Sequence, residues 1–203
     1  TREKIDVPSV TMVWEGEGKD IAHIKVSEFG AETKSEWNKY VTEILTNKNT
    51  KGIIVDLRNN PGGYMQAAVD LASDFVPTGT VVVIQQNGDG TKEEYKSTSL
   101  PRLEKYQTVV LINGGSASAS EILSGALRDD RGIKLVGDKS FGKGTIQEPL
   151  DMTGGSGVHI TTAKWLTPNG TWVHEKGLTP DVSISNPDNA TEDAQLNAAI
   201  KLF

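Results

Sequence analysis

Residues 52–63 read Gly52-Ile-Ile-Val-Asp-Leu-Arg-Asn-Asn-Pro-Gly-Gly63, and this stretch decides the fold class. Ile53, Ile54, Val55 and Leu57 make a short, nearly all-apolar run, the pattern of a strand covered on both faces. The turn Asn59-Asn-Pro-Gly-Gly63 ends it. From Tyr64 to about Phe75, Ala68, Leu71, Ala72 and Phe75 then recur at helical spacing. A buried strand, a glycine-rich turn and a helix, in that order, form the repeating piece of a parallel sheet with crossover helices.

The same piece recurs outward from this point. Thr108-Val-Val-Leu-Ile112 runs into Asn113-Gly-Gly115, and about Ser118 to Asp129 reads as a helix rich in small residues. Ile133 to Val136 is a further strand, followed by glycine-rich Gly137 to Gly144. Upstream, Val10 to Trp14 and Asp20 to Glu28 read as strands. Thr33 to Thr46 is an amphipathic helix through Trp37, Tyr40, Val41, Ile44 and Leu45. Thr80 to Gln86 is a strand, and Asn87-Gly-Asp-Gly90 turns toward a more polar one. Downstream, Val158 to Trp165 and Trp172 to His174 flank Asn169–Gly170, which predicts a hairpin. Thr191 is placed to cap a final helix, with Glu192 and Asp193 in its first turn and Leu196, Ile200 and Leu202 following. The expected fold is one α/β domain spanning residues 1–203, with no solenoid-type repeat.

The chain of 203 residues is 36% hydrophobic and 24% charged, ordinary for a globular protein, and its net charge of −6 with no dense basic run argues against nucleic acid as partner. It has no cysteine, which excludes disulfides, thiol nucleophiles and cysteine-ligated metals. No apolar run approaches the ~18 residues that span a membrane.

Three glycine-rich loops leave buried strands: Asn60-Pro-Gly-Gly63, Asn113-Gly-Gly-Ser-Ala-Ser-Ala-Ser-Glu121 and Ser140-Phe-Gly-Lys-Gly-Thr-Ile-Gln147. In α/β sheets such loops gather where backbone amides and helix N-termini point at a ligand. Ser118 stands at a helix start among alanines, placed to attack beside amides aimed at a developing negative charge. Of the candidate bases, His23, His159 and His174 all fall in strand-like segments away from these loops. Lys143 sits between two glycines of the third loop. An amine serves as general base only when neutral, which takes burial away from carboxylates. Gln147, four residues on, falls on the same side by either strand or helix period and is placed to hold the lysine.

These residues carry a specific resemblance. Asp56-Leu-Arg-Asn-Asn-Pro-Gly-Gly63, Gly115-Ser-Ala-Ser-Ala-Ser-Glu-Ile122, Phe141-Gly-Lys-Gly-Thr-Ile-Gln147, Thr161-Thr-Ala-Lys-Trp-Leu166 and Lys176-Gly-Leu-Thr-Pro-Asp181 are similar to the C-terminal processing (tail-specific) serine peptidases, in that family's order. The resemblance implies a ClpP/crotonase-like core of repeated β-β-α units with late hairpin additions. It implies a Ser–Lys catalytic pair, Ser118 and Lys143, with Gln147 supporting the lysine. The oxyanion hole would be formed by the backbone amides of Ala119 and of either Gly62 or Gly63. It implies no metal and no cofactor, protein or peptide substrates with unstructured C-terminal tails, and an exported, envelope-associated protein, with self-association left open. Residues 1–10 resemble the segment that follows a PDZ domain, so a longer protein carrying that domain is expected, and residues 182–203 read as a C-terminal extension with a helix.

Other readings compete. Gly137-Asp-Lys-Ser-Phe-Gly-Lys143 matches a phosphate-binding loop except that Gly144 stands where a Ser or Thr should bind Mg²⁺. A catalytically silent member acting as a binding or scaffolding module is the alternative function, and a crotonase-like acyl-CoA enzyme would give no reason for a Ser–Lys pair. Asp56 and Arg58 read as braces of the Pro61–Gly63 turn. Glu121 reads equally as helix-start charge or site support, and Trp165 and Trp172 as hairpin core or substrate-facing surface.

Overall fold

The computed structural model describes residues 7–186 and 192–203. In chain order the first elements are β1 (Val10–Glu15), β2 (Ile21–Val26), α1 (Thr33–Thr46), β3 (Gly52–Asp56), α2 (Met65–Ala72), β4 (Val81–Asn87) and β5 (Lys92–Lys96). They are followed by β6 (Gln107–Ile112), α3 (Ala119–Arg131), β7 (Lys134–Gly137), β8 (Thr145–Asp151), β9 (Gly157–Leu166), β10 (Val182–Ser183) and α4 (Ala194–Ile200).

The apolar run that begins at Gly52 is the middle of a six-stranded sheet ordered β1-β2-β3-β6-β7-β10. Only β1 is antiparallel to its neighbour; β2, β3, β6, β7 and β10 run parallel. Side chains alternate across a strand. Ile53 and Val55 therefore join the main core with residues of α1, α2 and α3, while Ile54 turns to the opposite face with Val109, Leu111 and Val136. That second face is covered by α4 through Ala199, with Leu196 and Leu202 beside it. Ile53, Ile54 and Val55 are all fully shielded from solvent, and each contributes about 1.5–3 kcal/mol of burial energy. A solvent-facing strand would have shown alternation instead.

A second, antiparallel sheet runs β5-β4-β9-β8, with β8 and β9 forming a long hairpin. The helix expected over residues 33–46 is α1, and the mixed α/β class is as expected; a late hairpin is present, but in it β9 pairs with β8 rather than with Trp172–His174. Two local expectations are corrected. Asn169–Gly170 does form a turn, with Thr167 and Thr171 bonded across it, but Trp172–His174 does not pair as a strand. That segment has a stronger use, since it folds back over the loop that carries Lys143. The last helix is capped by Asp193, whose side chain accepts from the Leu196 N–H at 3.0 Å; Thr191 lies outside the described residues, as do residues 1–6 of the segment likened to a PDZ exit.

Candidate active site

The three glycine-rich loops meet at the carboxyl ends of β3, β6 and β7, where an α/β sheet collects its ligands. The turn after β3 is fixed by fully buried Asn60. Its amide donates to the Val26 carbonyl at 2.8 Å and its Oδ1 accepts the Gly62 N–H at 2.8 Å. The Asn60 carbonyl in turn accepts the Ala117 N–H and the Ser120 hydroxyl. Ser116 completes the weld: its hydroxyl donates to the Leu57 carbonyl at 2.8 Å and accepts the Asn113 N–H. Gly62 has φ +104°, and a Cβ there would stand 2.7 Å from the Ala117 carbonyl and 2.8 Å from the Ser118 Cβ. Only glycine lets this turn press against Ser118.

Ser118 immediately precedes α3 with φ 55° and ψ −115°, a region unusual for a residue with a side chain, at a cost on the order of 1–3 kcal/mol. The first amides of a helix have no intrahelical acceptor. Among the described residues, the N–H groups of Ala119 and Gly63 donate to no protein acceptor, whereas that of Gly62 is engaged by Asn60.

Glu121 joins this region to the third loop. It is fully buried, and four donors converge on its carboxyl. Oε1 accepts from the Ser140 hydroxyl at 2.6 Å and the Gly142 N–H at 2.7 Å; Oε2 accepts from the Lys143 N–H at 2.8 Å and the Ser118 N–H at 3.0 Å. A buried carboxyl without donors would cost several kcal/mol, so this set is mutually dependent. The chain positions of Ser118 and Lys143 are thus fixed by one oxygen atom.

Two indoles hold the Lys143 loop from either side. Trp165, inside the core, donates from Nε1 to the Lys143 carbonyl at 2.9 Å, and Trp172 donates to the Gly144 carbonyl at 2.8 Å. A Cβ on Gly144 would meet His174 N at 2.7 Å and Trp172 Nε1 at 2.8 Å, so the 172–174 segment seats directly on this glycine. His174 stacks on Trp172 with ring centroids 5.1 Å apart. The expectation that His174 lies away from the site is therefore corrected. His159 is exposed on β9, and His23 Nε2 lies 3.0 Å from Asp56 Oδ2.

The Lys143 side chain is half-buried, and among the described residues it makes no direct hydrogen bond to Ser118. Gln147 is exposed on β8 with no side-chain hydrogen bond among the described residues, just after a register shift between Ile146 and Gln147. Asp56 and Arg58 brace the far end of the chain rather than the Pro61–Gly63 turn. Arg58 forks onto Asp56 (2.7 and 2.9 Å) and reaches Asp193 at 2.8 Å. Burial works to raise the Asp56 carboxyl, but the bonds from His23 and Arg58 outweigh it and hold it below its ordinary value. Asp193 is likewise held low, burial being outweighed by Arg58, the Leu196 N–H and Asn186. Sequence reading gave Glu121 two equal roles and Asn60 none; the only local clue was a carboxylate three residues after a helix-start serine.

The carboxy-terminal processing protease CtpB of Bacillus subtilis is 41% identical over 174 residues, 85% of this chain and 35% of that protein. The carboxyl-terminal-processing protease of Synechocystis is 37% identical over 192 residues, 92% of this chain and 44% of that protein. The solved photosystem II D1 C-terminal processing protease superposes with a TM-score of 0.79 at 30% identity, covering 98% of this chain and 53% of that one. The chain thus spans less than half the length of these two curated relatives. A model of peptidase family S41 matches residues 20–184, and the chain belongs to that family.

Proposed function

We propose that the chain is the core of a serine endopeptidase in which Ser118 is the nucleophile and Lys143 the general base, cutting protein substrates at or near their C-terminal tails. The observation that carries this reading is the Glu121 carboxyl, whose Oε2 accepts from the backbone of both residues and so keeps them in one fixed frame. In the proposed cycle, neutral Lys143 takes the Ser118 hydroxyl proton as Oγ attacks the peptide carbonyl. The tetrahedral oxyanion is received by the Ala119 and Gly63 amides. Gly63 is assigned over Gly62 because the Gly62 N–H is already spent on Asn60. Protonated Lys143 gives its proton to the leaving amine, the C–N bond breaks, and an acyl ester remains on Ser118. Lys143 then takes a proton from water as the water oxygen adds to the ester carbonyl, and the acyl–Oγ bond breaks with that proton returned to Ser118, releasing the new carboxylate. Gln147 is assigned the support of the lysine amine once substrate covers the site. The family resemblance extends the proposal to an exported, envelope-associated protein in which a PDZ domain delivers substrate tails.

The test is a double-mutant cycle on an unstructured peptide. Ser118→Ala and Lys143→Ala should each abolish cleavage, and the double variant should be hardly worse than either, because the two act as one unit. Cleavage that survives in Lys143→Ala with the fold intact would refute the assignment.

A further inference from the structure

The outer face of the antiparallel sheet carries a groove of about 420 Å3 that starts beside the base loop. Thr145, Thr161, Lys164 and Trp172 line it, together with Asn87, Gly88 and Gly90 of the turn after β4. Strand alternation explains the division of labour. Trp165 points inward to the Lys143 carbonyl, so its neighbour Lys164 points outward, where it is the cross-strand partner of both Thr145 and Gln86. Thr145 is two residues beyond Lys143, roughly 7 Å along an extended chain.

Lys164 is unusual in its setting. It is half-buried, and its ammonium lies 4.9 Å from the centroid of the Trp172 ring. Among the described residues it has no carboxylate partner, although acidic residues outnumber basic ones in the chain, 27 to 21. Glu148, on the neighbouring strand β8, is met by the Thr162 hydroxyl at 3.3 Å. Trp172 cannot swing away from Lys164 without losing its bond to the Gly144 carbonyl. A fixed aromatic plane, a cation resting on it, and hydroxyl and amide donors around a groove make a receptor for a carboxylate on a short side chain.

We infer that this groove is a substrate subsite for an acidic residue, Asp or Glu, close to the scissile bond, with Lys164 as the residue that recognises it and Trp172 as the shelf that ties recognition to the base loop. The inference rests on the peptidase reading but is testable apart from it, because binding requires no turnover.

The measurement is fluorescence anisotropy of labelled, otherwise alanine-rich peptides carrying one Glu, moved through successive positions, against the matched Gln peptides. The protein is the Ser118→Ala variant of the chain. At one position the Glu peptide should bind about tenfold more tightly than its Gln counterpart, a difference that falls as salt is raised. Lys164→Gln should bring the Glu-to-Gln ratio close to one, and Lys164→Arg should restore most of it. Lys92→Gln, which removes an equal charge from β5, should leave the ratio as it was. A ratio near one at every position, absence of binding by either peptide, or an equal loss in Lys92→Gln would overturn the subsite. Acid-selective binding without any cleavage by the unmutated chain would instead keep the subsite and sink the peptidase reading.

Discussion

The two halves of the candidate site are built differently. Around Ser118, Asn60, Ser116 and Ser120 are fully buried and each spends its side chain on an internal hydrogen bond, and Gly62 packs where a Cβ would clash with Ala117 and Ser118. Around Lys143 only the backbone is held, by Glu121, Trp165 and Trp172, while the side chain is half-buried beside the exposed Phe141. On the proposed roles, the nucleophile and its amides are therefore preorganised, and the base is fixed at its root but not at its tip. The strained Ser118 backbone is held by that buried surround.

The largest expected effect comes from cutting the link between the halves. Glu121→Gln replaces two acceptor oxygens by one, and turns an NH2 group toward donors that already point inward. It should lower kcat by about 100-fold or more with KM nearly kept, as expected for a residue that positions others, and Glu121→Asp should recover part of the loss. Unchanged kcat in a folded Glu121→Gln protein would show that the two halves are not coupled through this carboxyl.

A second test acts beneath the nucleophile half. Asp56 and Asp193 are both held below their ordinary values, so the folded state binds fewer protons than the unfolded chain near pH 4. Their contribution to stability is present above the unfolded values, and it is lost as pH falls through the folded ones. Arg58→Met leaves the Asp56 carboxyl without its fork and should destabilise the protein by about 3–5 kcal/mol at pH 7. The acid dependence of urea unfolding below about pH 4 should flatten at the same time. An unaltered acid limb would mean that the Asp56–Arg58–Asp193 chain is not what holds α4 to the sheet.

The smallest effect sharpens the comparison within one helix. Glu121 in the first turn of α3 has four donors, but Asp130 in the last turn has a buried Oδ2 with no partner among the described residues. Burial, with a lesser push from Asp129, raises its carboxyl to about 6. A carboxyl raised in the folded state costs stability once it ionises, so Asp130→Asn should stabilise the protein at pH 7. The gain should be about 1 kcal/mol, since the group is only partly shielded and solvent screens it, and it should vanish below about pH 4. An equal gain at pH 4 and pH 7 would rule out ionisation as its source.

The parts legible in the sequence were those with a local signature. The run from Gly52 to Asp56 announced a doubly covered strand, Trp37 to Leu45 announced a helix, and the three glycine-rich loops marked where the strands end. Ser118 was visible as a helix start. The rest depends on contacts with no local period. The Glu121 bonds to Gly142 and Lys143 span 21 and 22 residues, and the Arg58 bond to Asp193 spans 135. Trp172 and His174 looked like a hairpin arm because Asn169–Gly170 is a good turn. What they do instead is decided by Gly144, whose bare backbone offers a closer seat than a strand edge.

The claim at the centre of this account is that Ser118 is an activated nucleophile and that Lys143 activates it. Labelling with a fluorophosphonate, followed by peptide mapping, reads both at once. The account predicts one adduct, on Ser118, that forms readily in the unmutated chain and is lost or greatly slowed in Lys143→Ala while the fold is retained. An adduct on another serine, or labelling of Ser118 at the same rate without Lys143, would contradict it.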